Sequence, residues 1–205
     1  MHDLAEGVQR FQRDVFPGQA GLFERLATTH RPTALFIGCS DARVVPELIT
    51  QRAPGELFVI RTAGNLVPAY APGADGVAAS IEYAVGVLDV TDVIVCGHSA
   101  CGAMTSLALR HDLTGLPAVA DWLRHAEAAR SRTTAQADGA EEAGEVAGLV
   151  RANVLSQLAN LATHPSVARA LAQNTVTLHG WVYDIGTGAM EELDAATGRF
   201  TALAA

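Results

Sequence analysis

Two clusters of cysteine, histidine and charged side chains lie far apart in the sequence. The first is Cys39-x-Asp41-x-Arg43, and the second is His98-x-x-Cys101. Two cysteines and one histidine are ligands that zinc prefers, and three protein ligands leave open a fourth tetrahedral position, which is typical of catalytic zinc sites. A thiolate is also favoured at the start of a helix, where Cys101 is predicted to lie. The residue types and their spacing therefore predict one zinc ion held by Cys39, His98 and Cys101.

The charged pair beside the first cysteine has alternative interpretations. Asp41 could be a fourth zinc ligand or a hydrogen-bond acceptor close to the metal. Taken alone, Asp41 could equally cap a helix and form with Arg43 a surface ion pair that contributes little to stability. Charge pairs in clefts are associated with function, and the adjacent Cys39 favours the functional interpretation. The third cysteine, Cys96, lies within an apolar run and is predicted to pack in the core.

The elements around the two clusters predict a sheet that brings them together. Short apolar runs at 33–37, 56–61 and 92–96 predict buried strands, and apolar residues at helical spacing predict helices between them. This alternation indicates an α/β fold with a mainly parallel central sheet of order 2-1-3-4, an antiparallel edge strand and flanking helices. Ligands bind at the carboxyl ends of such strands, at the switch point of the sheet. Because Cys39 follows the first strand and His98 follows the third, we expect both clusters at one site.

The segments outside this core are predicted from their apolar spacing and their breaker residues. Residues 3–28 predict two short helices interrupted at Pro17-Gly18, which form an N-terminal helical arm over residues 1–30. Residues 131–147 are small and polar, and predict a mobile surface connection. Further elements are predicted as a helix at 77–88, a helix at 102–110, helices at 146–163 and 166–173, a strand at 175–183 and a hairpin over 190–203.

The composition excludes several classes of protein. A length of 205 residues predicts one domain that buries a sufficient core without disulfides. No apolar run reaches the ~20 residues of a membrane span. The net charge of −8 and the absence of lysine argue against a nucleic-acid surface. Three cysteines are too few for a disulfide framework, and no secretory signal is recognised at the N-terminus, so we expect a cytoplasmic protein.

The two clusters together resemble the motifs of the β-class carbonic anhydrases. The second cluster continues as Gly97-His98-Ser99-Ala100-Cys101-Gly102-Ala103, and the likeness extends through residues 54–61, 64–67 and 180–185. The resemblance implies a zinc enzyme, with one ion per chain, that hydrates carbon dioxide reversibly to bicarbonate and a proton.

The resemblance also implies a role for each residue of the site. The three predicted ligands would bind zinc, whose water becomes a hydroxide nucleophile near neutral pH. Asp41 and Arg43 would form a dyad that gates the fourth zinc position, which is open while Arg43 holds Asp41 and closed when Asp41 is a ligand. A backbone N–H near Gly102 is a candidate donor to the substrate oxygen. Since two thiolates neutralise the metal charge, we expect activity to rise with pH through the alkaline side of neutrality.

The resemblance also bears on four further residues, Arg61, Tyr183, Phe36 and His30. Some bacterial members have a regulatory bicarbonate pocket built from Trp, Arg and Tyr. Arg61 and Tyr183 match the last two, but Phe36 stands at the Trp position and lacks an indole N–H, which weakens the prediction of bicarbonate regulation. His30 stands where many members have a Gln that binds substrate in some of them. His30 could be a surface residue, a proton shuttle or a bicarbonate contact.

The partners implied by the resemblance are carbon dioxide, bicarbonate and further copies of this chain. The family forms dimers, often paired into tetramers, and its N-terminal helices cross to the partner subunit. The arm over residues 1–30 suits this role because it carries apolar positions before the first strand, although it could instead pack on its own subunit. Neither a nucleic acid nor a membrane is expected as a partner.

Four other functions are alternatives to this interpretation. The same scaffold could hydrolyse carbonyl sulfide or carbon disulfide, which have the linear shape of carbon dioxide. A non-catalytic zinc protein would not need the Asp41–Arg43 pair. A cysteine nucleophile paired with His98 would leave Cys39 unexplained. A flavodoxin-like binding module would need a Gly-rich phosphate loop after the first strand, which this sequence does not have.

Overall fold

A computed structural model of the chain describes residues 2–134 and 142–203. The chain divides into two compact units, Met1–Arg31 and Pro32–Ala205. In the described parts of the chain, no helix is both long enough and apolar enough to cross a membrane.

The N-terminal unit is helical over most of its length. It consists of α1 (His2–Arg10), a π-helical turn (Phe11–Val15) and α2 (Phe16–Leu26). Pro17 lies in the first turn of α2, where its missing N–H breaks no hydrogen bond of that helix. The wider π-helical turn lies directly before α2. The break between the two helices therefore comes at Phe11–Val15 and not at Pro17-Gly18, where the sequence predicts it. Three aromatic rings of this unit contact one another, those of Phe11, Phe16 and Phe23.

The second unit is built on a six-stranded sheet. The strands are β1 (Ala34–Cys39), β2 (Leu57–Thr62), β3 (Asp92–His98), β4 (Thr177–Tyr183), β5 (Met190–Asp194) and β6 (Arg199–Ala202). Their order is β2-β1-β3-β4-β5-β6, with parallel pairs up to β4 and antiparallel pairs from β4 onwards. The predicted α/β fold and the order 2-1-3-4 are confirmed. The antiparallel edge contains two strands rather than one, and these form the hairpin predicted over 190–203.

The hairpin turn has a local chemical cause. The carboxylate of Asp194 accepts hydrogen bonds from the backbone N–H groups of Ala196 and Thr197. Gly198 then closes the turn with a φ of +68°, a backbone conformation that glycine adopts without strain. The sequence pattern Asp-x-x-Thr-Gly therefore specifies both the turn and the second edge strand.

Helices of the second unit pack mainly against one face of the sheet. They are α3 (Pro46–Thr50), α4 (Gly76–Gly86), α5 (Gly102–Ala108), α6 (Pro117–Leu123), α7 (Glu127–Thr134), α8 (Glu142–Leu161) and α9 (Pro165–Ala172). The larger core lies between the sheet and these helices. The opposite face buries a smaller cluster that includes Phe36 and Cys96. Cys96 is fully buried, and burial raises its pKa to about 12, so its predicted role in core packing is confirmed.

Two glycines allow α8 to approach the backbone of the central strands. A Cβ atom added to Gly97 on β3 would lie 2.9 Å from the side chain of Val150. A Cβ atom added to Gly180 on β4 would lie 2.9 Å from the side chain of Val154. These contacts are closer than a side chain allows, so α8 packs directly on the strand backbone one residue before His98.

The structure departs from the sequence expectations between residues 109 and 147. Helix α5 ends at Ala108, two residues earlier than predicted, and α6 and α7 occupy a stretch for which we predicted no element. The predicted mobile connection over 131–147 is helical at both ends, in α7 and in α8, and its remaining residues, 135–141, lie outside the described residues. Small and polar residues are as compatible with an exposed helix as with a loop, because periodicity is weak where little is buried.

Candidate metal centre

The three predicted ligands meet at the carboxyl edge of the parallel strands. Cys39 is the last residue of β1, His98 is the last residue of β3, and Cys101 immediately precedes α5. Their ligand atoms all lie within 4.8 Å of one another, and the three residues are buried. Since β1 and β3 are parallel neighbours, the sheet delivers both clusters to one point, as the sequence predicts.

His98 is held in the orientation and tautomer that a metal ligand needs. Its Nδ1 lies 2.9 Å from the carbonyl oxygen of Ser99. Because a carbonyl can only accept, Nδ1 carries the proton and Nε2 presents its lone pair. Nε2 is buried and has no hydrogen-bond partner among the residues that the structure describes. A buried nitrogen without a partner, beside two thiols, fits a zinc ion, which takes imidazole and thiolate ligands.

The short turn between His98 and Cys101 is fixed by the end of β4. The backbone N–H of Ser99 donates to the carbonyl of Tyr183, and its hydroxyl accepts from the N–H of Ile185. Ala100 then adopts a left-handed φ of 53°, which costs a non-glycine residue about 1–2 kcal/mol. Strain of this kind persists where the surrounding structure imposes it, often at functional sites.

Backbone N–H groups surround both ligand sulfurs. The N–H groups of Asp41 and Gly64 face the Cys39 sulfur, and those of Ala103 and Met104, in the first turn of α5, face the Cys101 sulfur. A hydrogen bond from the Cys101 thiol is the main cause that lowers the pKa of Cys39, and the same bond raises the pKa of Cys101. A divalent cation bound between the two sulfurs would stabilise both as thiolates.

Asp41 is anionic and is held by Arg43 at the edge of this cluster. Its Oδ1 accepts from Nε and from the backbone N–H of Arg43, both at 2.9 Å, and its Oδ2 accepts from Nη2 at 2.7 Å. The side-chain hydrogen bonds hold the pKa of Asp41 well below its usual range. Arg43 also donates to the carbonyl of Ala100, and Asp41 Oδ2 lies 3.9 Å from His98 Nε2. The Asp41–Arg43 pair is therefore attached to the turn between His98 and Cys101.

Arg61 has a structural contact that the sequence did not indicate. Its Nε donates to the carbonyl of Cys39 at 3.2 Å, and its Nη2 donates to the carbonyl of Asp41 at 2.7 Å. Arg61 thus fixes the backbone that follows β1. Arg61 stands beside Gly38 in the parallel pair of β1 and β2, so these contacts depend on the register of the sheet. Its role in a regulatory bicarbonate pocket stays a prediction.

The remaining predicted residues lie in different surroundings. Tyr183 ends β4 and is paired in register with His98. Phe36 is fully buried on the sheet face opposite the larger core, where its ring contacts Trp181. Gly102 is the first residue of α5, and a Cβ atom there would meet no atom within 4 Å. His30 is exposed and belongs to the N-terminal unit.

A row of three amides on α8, two of them fully buried, was missed at the level of sequence. Asn153 donates to the carbonyl of Gly64, and Gln157 accepts from the N–H of Val67. Asn160 donates to the carbonyl of Val67. The three amides recur every three or four residues within an otherwise apolar helix face, and that spacing is the signal that could have identified them. They satisfy the irregular backbone of the segment that follows β2.

Comparisons with known proteins agree with this geometry. A family model described as carbonic anhydrase matches residues 34–190, which include every ligand position. A carbonic anhydrase from Pseudomonas aeruginosa is 59% identical over 204 residues, with 100% of this chain and 92% of the relative covered. The solved structure of the β-carbonic anhydrase CcaA has a TM-score of 0.96 and 41% identity, with 100% of this chain and 92% of that chain covered.

A more distant solved structure extends the comparison to fungi. One of two tetrameric β-carbonic anhydrases from Sordaria macrospora has a TM-score of 0.70 and 30% identity, with 98% of this chain and 94% of that chain covered. The motifs, the ligand geometry, the sheet topology and these likenesses all agree, and the chain belongs to the β-carbonic anhydrase family.

Proposed function

We propose that this chain hydrates carbon dioxide reversibly to bicarbonate and a proton, with one zinc ion held by Cys39, His98 and Cys101. The observation that carries the proposal is the buried Cys-His-Cys cluster, whose ligand atoms lie within 4.8 Å of one another. The nearby carboxylate of Asp41 is engaged by Arg43. A structural zinc site is closed by four protein ligands, whereas a catalytic site has three and an open position.

Zinc at such a site acts as a Lewis acid that lowers the pKa of a water ligand toward neutrality. The chain supplies the remaining functions. Asp41 is an anionic acceptor 3.9 Å from His98 Nε2, so it can accept a hydrogen bond from the nucleophile and orient a lone pair toward carbon dioxide. Gly102 is the proposed donor to the substrate oxygen, because the first N–H groups of a helix have no partner within that helix.

The Asp41–Arg43 dyad is proposed to gate the fourth zinc position. In this structure Arg43 holds both carboxylate oxygens of Asp41, in the two-pronged geometry that makes such pairs specific. The backbone N–H of Arg43 adds a third hydrogen bond. As long as these bonds persist, Asp41 is not available as a ligand. Release of Asp41 from Arg43 would let the carboxylate close the site, because little distance separates it from His98.

Stopped-flow hydration of carbon dioxide, on protein of known zinc content, tests the proposed function. We expect about one zinc per chain, as a three-ligand site implies, and turnover that rises from neutral to alkaline pH. Turnover is expected to rise because two thiolate ligands offset the charge of the metal. A water bound to such a metal is less acidic, so it loses its proton only at higher pH. Full zinc content without turnover at any pH would contradict the activity. Turnover of carbonyl sulfide or carbon disulfide in that case would identify the alternative hydrolase.

Weak bicarbonate regulation is proposed for the pocket predicted at Arg61, Tyr183 and Phe36. Phe36 has no polar atom in its side chain and is fully buried. The Arg61 guanidinium already donates to two backbone carbonyls, so binding an anion would compete with those bonds. Because the regulation is weak, inhibition of carbon dioxide hydration by added bicarbonate is expected to depart only slightly from simple product inhibition. A steeply sigmoidal dependence of the rate on bicarbonate concentration would contradict this expectation.

A dimer, or a tetramer made of two dimers, is proposed as the assembled form, with the arm over residues 1–30 crossing to a partner subunit. The support is the exposure of apolar side chains along the arm, those of Leu4, Val8 and Phe11 among them. Exposed apolar stretches of this kind mark interaction surfaces. The Sordaria relative is tetrameric. Sedimentation of the full chain should give a dimer or tetramer, and a chain without residues 1–30 should sediment as a smaller species. Equal sedimentation of the two would place the interface elsewhere.

A reducing compartment such as the cytoplasm is the proposed location. All three cysteines are free and buried, and two of them must stay reduced to bind a metal.

His30 keeps its proposed role as a proton or substrate contact. Replacement of His30 by alanine should slow turnover in weak buffer more than in strong buffer if it shuttles protons. An equal rate in both buffers would assign it to the surface.

A further inference from the structure

One peptide unit connects an indole donor to a ligand sulfur. The carbonyl oxygen of Ala63 accepts a hydrogen bond of 2.9 Å from Nε1 of Trp122 on α6. The N–H of the same peptide unit belongs to Gly64 and faces the Cys39 sulfur. The bond at Ala63 lies at the surface while Gly64 is buried, and hydrogen bonds in series polarise one another. The indole therefore strengthens the N–H donor that reaches Cys39.

The packing of Gly64 leaves this peptide unit little freedom to rotate. Gly64 has a left-handed φ of +72°, and a Cβ atom there would lie 2.9 Å from Ala103 and 3.2 Å from Met104 in the first turn of α5. The carbonyl of Gly64 accepts from Asn153 at 3.0 Å. Gly64 is thus held from the α5 side and from the α8 side, and the hydrogen bond from Trp122 holds the carbonyl end of the Ala63–Gly64 peptide.

The amide that holds Gly64 is itself oriented. Asn153 Oδ1 accepts from Nε2 of Gln157 at 2.9 Å, so its Nδ2 must point to Gly64 rather than away from it. Gln157 Nε2 also donates to the carbonyl of His125, which lies in the turn that follows α6. The ring of His125 contacts the ring of Trp122 at a centroid distance of 5.3 Å. The bond at the Ala63 carbonyl and the bond at the next carbonyl, that of Gly64, therefore both depend on the same short segment around α6.

We propose that Trp122 is a positioning residue of the metal centre, whose indole N–H fixes the Ala63–Gly64 peptide so that the Gly64 N–H stays directed at the Cys39 sulfur. The proposal rests on the proposed zinc site. Partners outside the ligand set orient the ligands and affect how tightly a metal is held. No catalytic contact is assigned to Trp122, because it acts through the peptide unit and through Cys39.

The test compares two tryptophan-to-phenylalanine variants of the full, zinc-loaded chain. The sequence has two tryptophans, and Trp181 is the matched control, because its indole donates to Glu192 rather than to a peptide of the metal centre. Each substitution removes one indole donor and keeps an aromatic ring. W122F should release zinc to a chelator about tenfold faster than the wild type, in the range typical of outer partners. W181F should release zinc at the wild-type rate.

A spectroscopic readout separates positioning from a general loss of stability. In the cobalt-substituted proteins, the sulfur-to-cobalt charge-transfer band should move to longer wavelength in W122F, because a sulfur that loses an N–H donor holds its electrons less tightly. The band should not move in W181F. A lower melting temperature of W122F with unchanged zinc release and an unchanged band would overturn the proposal. A wild-type chain that binds no zinc would overturn the proposed function and the inference together, whereas normal wild-type zinc binding with an unaffected W122F would overturn only the inference.

Discussion

Replacement of Cys39 by alanine should abolish zinc binding and reduce carbon dioxide hydration to the uncatalysed background. Cys39 contributes one of three ligand atoms that lie within 4.8 Å of one another. A Cys-to-Ala change leaves His98 and Cys101, and two ligands do not make the three-ligand site that catalytic zinc requires. The measurement is zinc content per chain, followed by stopped-flow hydration on the same sample.

The matched control for this substitution is Cys96→Ala. Cys96 is also buried, but its thiol lies in the small cluster on the other face of the sheet and outside the ligand group. C96A should keep its zinc and its rate, and should lose only the stability that a small buried side chain contributes, about 1 kcal/mol. Zinc retention by C39A, or zinc loss by C96A, would contradict the assignment of the ligands.

Replacement of Asp41 by asparagine should lower kcat by about 10²–10³-fold while the zinc content stays at the wild-type value. Asparagine has nearly the shape of aspartate but is neutral, and its amide nitrogen donates where the carboxylate accepted. The variant therefore loses the anionic acceptor near His98 and the two-pronged pair with Arg43. Stopped-flow rates and metal analysis, measured on one preparation, separate these effects.

Asp112→Asn is the control for the second prediction. Asp112 is also an aspartate with hydrogen bonds that lower its pKa, in this case from Thr114. It is exposed and lies after α5, outside the metal centre. D112N should leave the hydration rate unchanged within about twofold, as most surface substitutions have small effects. A wild-type rate in D41N would show that Asp41 does not take part in the reaction.

Cys39 and Asp41, the residues changed in the two main predictions, can both be identified from the local sequence. A thiolate, an imidazole and an acid-base pair are recognisable by residue type, and their spacing can be read without coordinates. The predicted strands at residues 33–37 and 92–96 also follow from short apolar runs, because a strand buried on both faces is apolar throughout. The parallel order then follows from the alternation of strands and helices, since parallel neighbours need a crossover connection.

Other parts of the site depend on contacts between distant segments. Arg61 could be aligned with a family position, but its hydrogen bonds to Cys39 and Asp41 arise only when β2 lies beside β1 in this register. Asn153 and Gln157 resemble ordinary polar residues of a helix until α8 is docked on the segment after β2. Trp122 lies in a segment where we predicted no helix, so its hydrogen bond to Ala63 had no basis in local pattern.

The sequence by itself determined the ligand types, the charged pair and the alternation of elements, because each is encoded by residue chemistry or by short-range periodicity. Only the tertiary structure decided which backbone groups surround the sulfurs, how Gly64 is held, and how the helices between residues 109 and 134 support it. The physical reason is that a backbone donor or acceptor has the same chemistry at every residue. Its partner is therefore set by packing across the fold and cannot be read from the side chain at that position.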